Sequence, residues 1–228
     1  MEALADCRLF SGLDPDGRAA VAADLRIRTE RFARGALLVN AAERLDRIGI
    51  VLEGEVEASR QDAGGGLHLI DRFRPLDVFG EGIAFSESRR SPVVLVAKTA
   101  GRVAWLDAQR LLDPDAADPR LRIVLLANLL RGMSQRNQHL NLKLDLTGRR
   151  TTRARVCAYL LHATDGGRST EIRLPYDRAA LADYLGVNRS ALSTVLSGLR
   201  ADGVISFRRA EFRLLDPAAL VRHAEGQA

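Results

Sequence analysis

Cysteine is scarce in this chain, and its scarcity excludes one class of cofactor. Only Cys7 and Cys157 occur among the 228 residues, and they lie far apart in the sequence. An iron–sulfur cluster is held by about four cysteine thiolates, so two cysteines cannot bind one. A low cysteine content is also typical of proteins in a reducing compartment.

The chain also lacks a long apolar segment. The longest apolar run, residues 123–130, is interrupted by Asn128 and is shorter than the ~18 residues that cross a bilayer. The first ten residues carry Glu2 and Asp6, whereas a signal peptide begins with a basic region. The sequence therefore predicts a cytoplasmic protein that does not enter the membrane.

Histidine is rare as well, which argues against several kinds of enzyme. The chain has four histidines, and only His68 falls between residues 34 and 106. A metal-dependent barrel enzyme needs several histidines and a carboxylate that converge inside the barrel. No Ser-His-Asp set, Walker loop or Cys-His pair has a usable spacing either. The sequence thus predicts no enzyme and no metal site, and it leaves the cofactor unknown.

Basic residues clearly outnumber acidic residues in only one part of the chain, and there all of them are arginines. Residues 145–209 contain eleven arginines, no lysine and six acidic residues, which leaves a charge of +5. Residues 1–144 are nearly neutral, with 21 basic and 20 acidic residues. Such a cluster is typical of a module that contacts nucleic-acid phosphates. A well-solvated surface would carry the same charge, so charge alone leaves both interpretations open.

The N-terminal half is β-rich after one helix. Asp14-Pro15 predicts a helix start, and the apolar pattern extends that helix over residues 14–30. Short β-prone runs separated by Gly, Pro and Asp then predict an antiparallel barrel or sandwich, with a hairpin turn at Gly54. The predicted strands are residues 36–39, 47–52, 55–59, 67–73, 93–97 and 103–106.

A long helix follows, because the apolar period lengthens from two to about 3.5 residues. Its apolar positions, separated alternately by three and four residues, are Ile123, Leu126, Leu130, Met133, Asn137, Leu140 and Leu144. This seam predicts a parallel coiled-coil homodimer, in which Asn137 pairs with its symmetry mate. A core helix within one chain is the alternative. A second apolar line at Leu125 and Leu129 favours the dimer, since it can pack on the helix's own domain.

The last third has the layout of a winged helix-turn-helix. Helices are predicted over residues 151–163, 178–185 and 189–200, and strands over residues 171–174, 204–208 and 211–215. Gly186 supplies the tight turn between the last two helices, and Asp177 and Asn188 are suitable caps. The second helix exposes small polar residues, which can enter a DNA major groove without clashing.

Four segments carry a family resemblance that covers almost the whole chain. LFSGL (9–13), VLEGEVEAS (51–59), DVFGE (77–81) and RAALADYLGVNRSALS (178–193) resemble the Crp/Fnr family of bacterial transcription regulators. The resemblance implies an α+β fold. Residues 1–113 would form a cyclic-nucleotide-binding-type β-roll (jelly roll), residues 114–147 a dimerisation helix, and residues 148–228 the winged helix-turn-helix.

The resemblance also implies which residues contact DNA. Arg189, Ser190, Ser193 and Thr194 would face the bases, and Asn188 and Arg178 would lie near phosphates. Members of the family often have glutamate and arginine where this chain has Ser190 and Thr194, so its operator should differ from the best-known ones. The implied partners are a two-fold symmetric double-stranded DNA operator, a second copy of the chain and RNA polymerase.

A small-molecule effector site is expected in the β-roll. Nucleotide-binding members of the family have Gly-Glu, eight residues, then Arg-Ser, and this chain has Gly80-Glu81 and Arg90-Ser91 at that spacing. Glu81 would bind a ribose hydroxyl and Arg90 the phosphate. Pro92 and the sequence GEGIAFSE argue that this cassette has drifted from nucleotide binding. Haem, with His68 as its ligand, is a further alternative.

Two functions from different classes therefore remain. The first is a sequence-specific DNA-binding transcription regulator controlled by an effector. The second is a cyclic-nucleotide-sensing regulatory protein that acts through protein contacts. The arginine-rich winged helix favours the first, because the second has no use for it.

Overall fold

The computed structural model describes residues 4–62, 66–113 and 118–226, without the side chain of Leu67. It divides into two compact units, Met1–Gln135 and Arg136–Ala228. The boundary expected after residue 113 adjoins residues 114–117, which lie outside the described ranges. Within those ranges, no helix combines the length and apolar character needed to cross a membrane.

The first unit is a β-roll made of two antiparallel four-stranded sheets. One sheet has the order β1-β8-β3-β6 and the other β2-β7-β4-β5. The strands are β1 Arg28–Phe32, β2 Leu37–Val39, β3 Arg47–Glu53, β4 Val56–Gln61, β5 Leu67–Phe73, β6 Val78–Phe79, β7 Val94–Ala97 and β8 Gly101–Asp107. The helices are α1 Pro15–Asp24 and α2 Glu81–Ala84, with 3-10 turns at Arg8–Phe10 and Gln109–Leu111. The predicted antiparallel jelly roll is confirmed.

Aromatic rings fill the interior of the roll. The Phe79 ring lies 5.3 Å from the ring of Phe73 and 5.3 Å from that of Trp105, measured between centroids. Gly49 on β3 faces Phe79 so closely that a Cβ atom there would lie 2.2 Å from the ring. The absence of a side chain at Gly49 therefore makes the room that Phe79 occupies.

Two sequence predictions in this unit are wrong. The helix predicted over residues 14–30 ends at Asp24, and Arg28 to Glu30 belong to β1, paired with β8. Gly54 does not close a hairpin, because β3 pairs with β8 and β6 whereas β4 pairs with β5 and β7. With φ 83°, Gly54 carries the chain from one sheet into the other.

The long helix α3 covers Pro119–Gly148, and residues of it fall in both units. Leu125 and Leu129 are buried in the core of the first unit, together with Phe10, Leu106 and Leu111. The second apolar line of the helix thus packs on the helix's own β-roll.

The second unit is a winged helix-turn-helix. Its elements are α4 Thr152–Ala163, β9 Glu171–Arg173, α5 Arg178–Leu185, α6 Arg189–Ala201, β10 Ile205–Arg208, β11 Glu211–Leu214 and α7 Pro217–Ala224. The strands form an antiparallel sheet of order β10-β11-β9, and the three helices before α7 pack on it around Leu160, Leu185 and Leu196. Sequence reasoning missed α7, which Asp216 caps by accepting a hydrogen bond from the amide of Ala219.

Gly49→Ala should destabilise the β-roll, because the new methyl group would overlap the buried Phe79 ring. Overpacking a dense core costs about 3 kcal/mol, so the free energy of unfolding should fall by that amount in a denaturant titration. Gly82→Ala is the matched control, since a Cβ at Gly82 meets no atom within 4 Å. Equal stability of the two variants would contradict this packing.

Candidate nucleic-acid interface

Side-chain caps and one glycine fix the geometry of the helix pair α5–α6. The Asp177 carboxylate accepts a hydrogen bond from the amide of Ala180 at the start of α5. Gly186 then reverses the chain with φ 63°, in the left-handed region that favours glycine. The Asn188 amide oxygen caps α6 by accepting from the amide of Ala191 at 2.7 Å. All three roles agree with the sequence analysis.

Helix α6 has one buried face and one exposed face. Leu192, Leu196 and Leu199 are buried in the core of the second unit. The residues expected to face the bases are all exposed: Arg189, Ser190, Ser193 and Thr194. Asn188, expected near a phosphate, is exposed at the same end of the helix. The structure therefore brings these five residues together on one exposed surface, called the α6 face below.

The hydroxyls of the α6 face are oriented by the helix itself. Ser190 donates its hydroxyl proton to the side-chain oxygen of Asn188 at 2.8 Å, and Ser193 donates to the Arg189 carbonyl at 2.9 Å. Both oxygens consequently present lone pairs outward, as acceptors. The Arg189 guanidinium makes no hydrogen bond or ion pair within the described ranges, so its donors are available to a ligand.

Arg178 is not on the α6 face. It is half-buried at the start of α5, where its guanidinium carbon lies 4.8 Å from the ring centre of Phe207 and 4.9 Å from that of Phe212. One of its nitrogens donates to the Arg209 carbonyl at 3.2 Å. Burial lowers the pKa of the Arg178 guanidinium. Arg178 thus contacts the β10–β11 hairpin, which forms the wing.

The wing carries basic residues that the sequence analysis did not single out. Arg208 and Arg209 are exposed at the tip of the hairpin, and with Arg173 they border a recess of about 380 Å³. In the part of the chain that the structure describes, neither tip guanidinium has an ion-pair partner. The signal was present as consecutive arginines at the turn between two predicted strands.

The effector residues expected in the β-roll lie on one segment of chain. Gly80 adopts φ 84° at the N-cap of α2, and a Cβ there would lie 3.0 Å from Leu45. Glu81 follows in the first turn and is buried. The amide of Ser91 donates to the Glu43 carbonyl at 2.9 Å. Both halves of the cassette therefore pack against residues 43–45.

The polar groups of Arg90 and Ser91 are engaged within the chain. The exposed Arg90 donates to the Ala42 carbonyl at 2.8 Å. The buried Ser91 hydroxyl donates to the Val93 carbonyl at 2.6 Å. A phosphate would have to replace the Val93 carbonyl to accept from the Ser91 hydroxyl, whereas Arg90 keeps further N–H donors beside its bond to Ala42.

Comparison with known proteins agrees with both units. Residues 29–113 match the cyclic nucleotide-binding domain family, and residues 154–223 match the Crp-like helix-turn-helix domain family. The chain belongs to the Crp/Fnr family of DNA-binding transcription regulators.

Individual relatives of this Crp/Fnr regulator have low sequence identity, but the matches cover most of the chain. The nitrogen fixation regulation protein FixK of Azorhizobium caulinodans is 27% identical over 84% of this chain and 77% of its own length. The transcriptional regulatory protein btr of Bordetella pertussis is 26% identical over 82% of this chain and 76% of its own length. The crystal structure of the Thermus thermophilus catabolite activator protein, 23% identical, superimposes with a TM-score of 0.53 over 97% of this chain and all of that one.

The predicted dimer seam of this Crp/Fnr regulator is only partly covered by the chain itself. Leu126 and Met133 pack on the core of the first unit. Asn137 is exposed. The remaining seam residues are exposed apolar side chains, with relative exposures of 64% for Ile123, 64% for Leu130, 48% for Leu140 and 70% for Leu144.

His68 and the two cysteines are poorly placed to bind a redox cofactor. His68 is exposed on β5, and its Nε2 lies 2.8 Å from a carboxylate oxygen of Asp62. Both cysteines are buried, and burial raises the pKa of the Cys157 thiol to about 12. Across the described ranges, no group of three or more His, Cys, Asp or Glu side chains is placed to hold a metal ion.

Proposed function

We propose that this Crp/Fnr regulator binds a two-fold symmetric operator as a homodimer, with one α6 face in the major groove of each half-site. The observation that carries the proposal is the α6 face itself, which is exposed, polar and next to a wing with free arginines. Dimers of helix-turn-helix proteins read half-sites about 34 Å apart along the duplex. A regulator of chromosomal DNA works in the cytoplasm, and RNA polymerase is its proposed protein partner.

The chemistry of the α6 face suggests how bases are read. Arg189 has a free guanidinium, which donates in a bidentate manner to the O6 and N7 acceptors of guanine. Ser190 and Ser193 present acceptor oxygens, which suit the amino groups of adenine or cytosine. The amide nitrogen of Asn188 is left to donate to a phosphate, because its oxygen caps the helix.

The exposed part of the seam supports the dimer. Burying a leucine side chain stabilises a protein or complex by about 1.5–3 kcal/mol. Burial of four exposed apolar side chains of one helix in an interface therefore strongly favours association. Ile123, Leu130 and Leu144 are separated by seven and fourteen residues, which is the heptad spacing of a two-stranded coiled coil. A second copy supplies the same stripe, which is self-complementary in a two-fold arrangement.

Control by an effector at the β-roll is the third part of the proposal. The match to the cyclic nucleotide-binding domain family supports a site at Gly80, Glu81, Arg90 and Ser91. The internal bond of the buried Ser91 hydroxyl favours an effector other than a cyclic nucleotide, because a nucleotide phosphate would compete with the Val93 carbonyl for that donor. The position of His68 does not support haem as the effector, because this side chain is exposed and its Nε2 contacts Asp62. No described feature favours the alternative of signalling through protein contacts alone.

Replacing the key base-reading residue tests DNA recognition. Genome fragments selected by the purified protein should share a two-fold symmetric site, and Arg189→Ala should weaken binding to that site by about tenfold or more, since each of the two half-sites loses a bidentate base contact worth about 1–3 kcal/mol. Arg168→Ala is the control, because Arg168 has the same charge and lies in an exposed ion pair with Asp165 outside the helix pair. Equal loss in both variants, or no enriched site, would refute the proposal.

A charge placed on the seam tests the dimer. Leu130→Glu and Leu144→Glu should each yield monomers in sedimentation velocity at micromolar concentration, because a buried carboxylate opposes its symmetry mate. Both positions are so exposed in one chain that folding should be unaffected. Leu37→Glu, on an exposed leucine of β2, should leave the dimer intact. A monomeric wild type would contradict the assignment of the seam.

The response to nucleotides tests the effector. Operator affinity should be unchanged by millimolar cyclic AMP or cyclic GMP in fluorescence anisotropy, because the buried Ser91 hydroxyl is bound to the Val93 carbonyl. Tighter binding that disappears in Arg90→Ala but persists in Arg60→Ala, at an exposed arginine of β4, would instead establish a nucleotide site.

A further inference from the structure

The guanidinium of Arg178 contacts other residues of its own unit, unlike the free guanidinium of Arg189. Phe207 on β10 and Phe212 on β11 are directly paired across the hairpin, so their rings lie on the same face of the wing. The Arg178 guanidinium is within 5 Å of both ring centres, the range in which a cation is attracted to an aromatic face. The first residue of α5 is thereby attached to both strands of the wing.

The same guanidinium also contacts the wing turn. Arg209 has φ 55°, a left-handed conformation that is unfavourable for a residue with a side chain. The Arg178 hydrogen bond to the Arg209 carbonyl holds this peptide in place. Two-residue hairpin turns usually employ glycine or asparagine at such a position, so the turn of this wing depends more on outside support.

What the wing presents to DNA depends on this support. Arg208 ends β10 and Arg209 lies in the turn; both are exposed, and their charges are not neutralised by an ion pair in the described part of the chain. Each phosphate contact requires its cation at a defined distance from the duplex. A hairpin free to pivot would lose these contacts even with both arginines present.

We propose that Arg178 is a positioning residue that holds the wing against α5 so that Arg208 and Arg209 reach the phosphates, and that it does not itself contact a phosphate. The inference rests on the proposed DNA binding and deepens it, by adding the wing tip to the interface. It replaces the role expected for Arg178 from the family resemblance.

Arg178→Lys and Phe207→Leu separate the two roles. Lysine keeps the positive charge but lacks the planar face and the fork of donors, whereas Phe207→Leu removes the ring and leaves Arg178 in place. Each variant should bind the selected operator about three- to tenfold more weakly, the range expected for loss of a cation–π contact. Thermal unfolding of each variant shows whether the fold is retained.

A double-mutant cycle then identifies the group through which Arg178 acts. Arg208→Ala with Arg209→Ala should reduce the slope of log affinity against log salt by up to about 4, since each protomer of the dimer loses two phosphate contacts. In that background, Arg178→Lys and Phe207→Leu should cause no further loss, because residues that act through one another are not additive. Additive losses overturn the inference.

A direct phosphate contact would give a different pattern. Arg178→Lys would then keep nearly full affinity, Phe207→Leu would resemble the wild type, and Arg178→Met would lower affinity equally with or without the wing arginines. That result overturns the inference alone, because the wild type still binds its operator. If the wild type showed no preference for any site, the proposed function would fail and the inference with it.

Discussion

The burial of Leu125 and Leu129 against the β-roll is the constraint on which much else depends. These side chains fix the rotation of α3 about its own axis relative to the first unit. Side chains three or four residues apart share a face of a helix, so once Leu125 and Leu129 face the β-roll, the residues on the opposite face are directed away from it. Ile123 and Leu130 lie outward as a result, and the same periodicity carries Leu140 and Leu144 along the helix.

An outward apolar stripe on a 30-residue helix has physical consequences for DNA binding. In the proposed dimer, a two-fold axis along the stripe would relate two α6 faces, as an operator with two inverted half-sites requires. Dimerisation of this kind would contribute more than affinity, since it would also set which spacing of half-sites is bound. The proposed recognition residues would then select the bases, and the seam the distance between the half-sites.

Sequence reasoning succeeded where the governing interactions are local. Asp177, Gly186 and Asn188 act within three or four residues of themselves, and their residue types suffice to predict caps and a turn. The long helix could be predicted for the same reason, since its apolar period is a local property of the sequence. The predicted strand over residues 67–73 also agrees with β5.

Prediction failed where partners are distant in sequence. The segment Arg28–Phe32 follows a helix closely, and only pairing with β8, more than 60 residues later, makes it a strand. Gly54 looked like a hairpin turn because its neighbours are both β-prone, yet the partners of those strands lie elsewhere. The contact of Arg178 with Phe207 and Phe212 likewise depends on the fold of the wing. The rotation of a guanidinium toward two rings has no signature in residue spacing.

The β-roll interior limits how any effector can act. Phe73, Phe79 and Trp105 form one packed group, and Gly49 leaves no spare volume beside it. Dense cores respond to a ligand by moving between discrete arrangements, not by gradual deformation. An effector at the proposed site must therefore bind one arrangement of the Arg90–Ser91 segment more tightly than another, and its influence cannot exceed that difference in affinity. Because the only donor of the Ser91 hydroxyl is already satisfied by the Val93 carbonyl, the difference has to come from groups that outcompete that carbonyl, from the remaining N–H donors of Arg90 or from apolar contacts beside them.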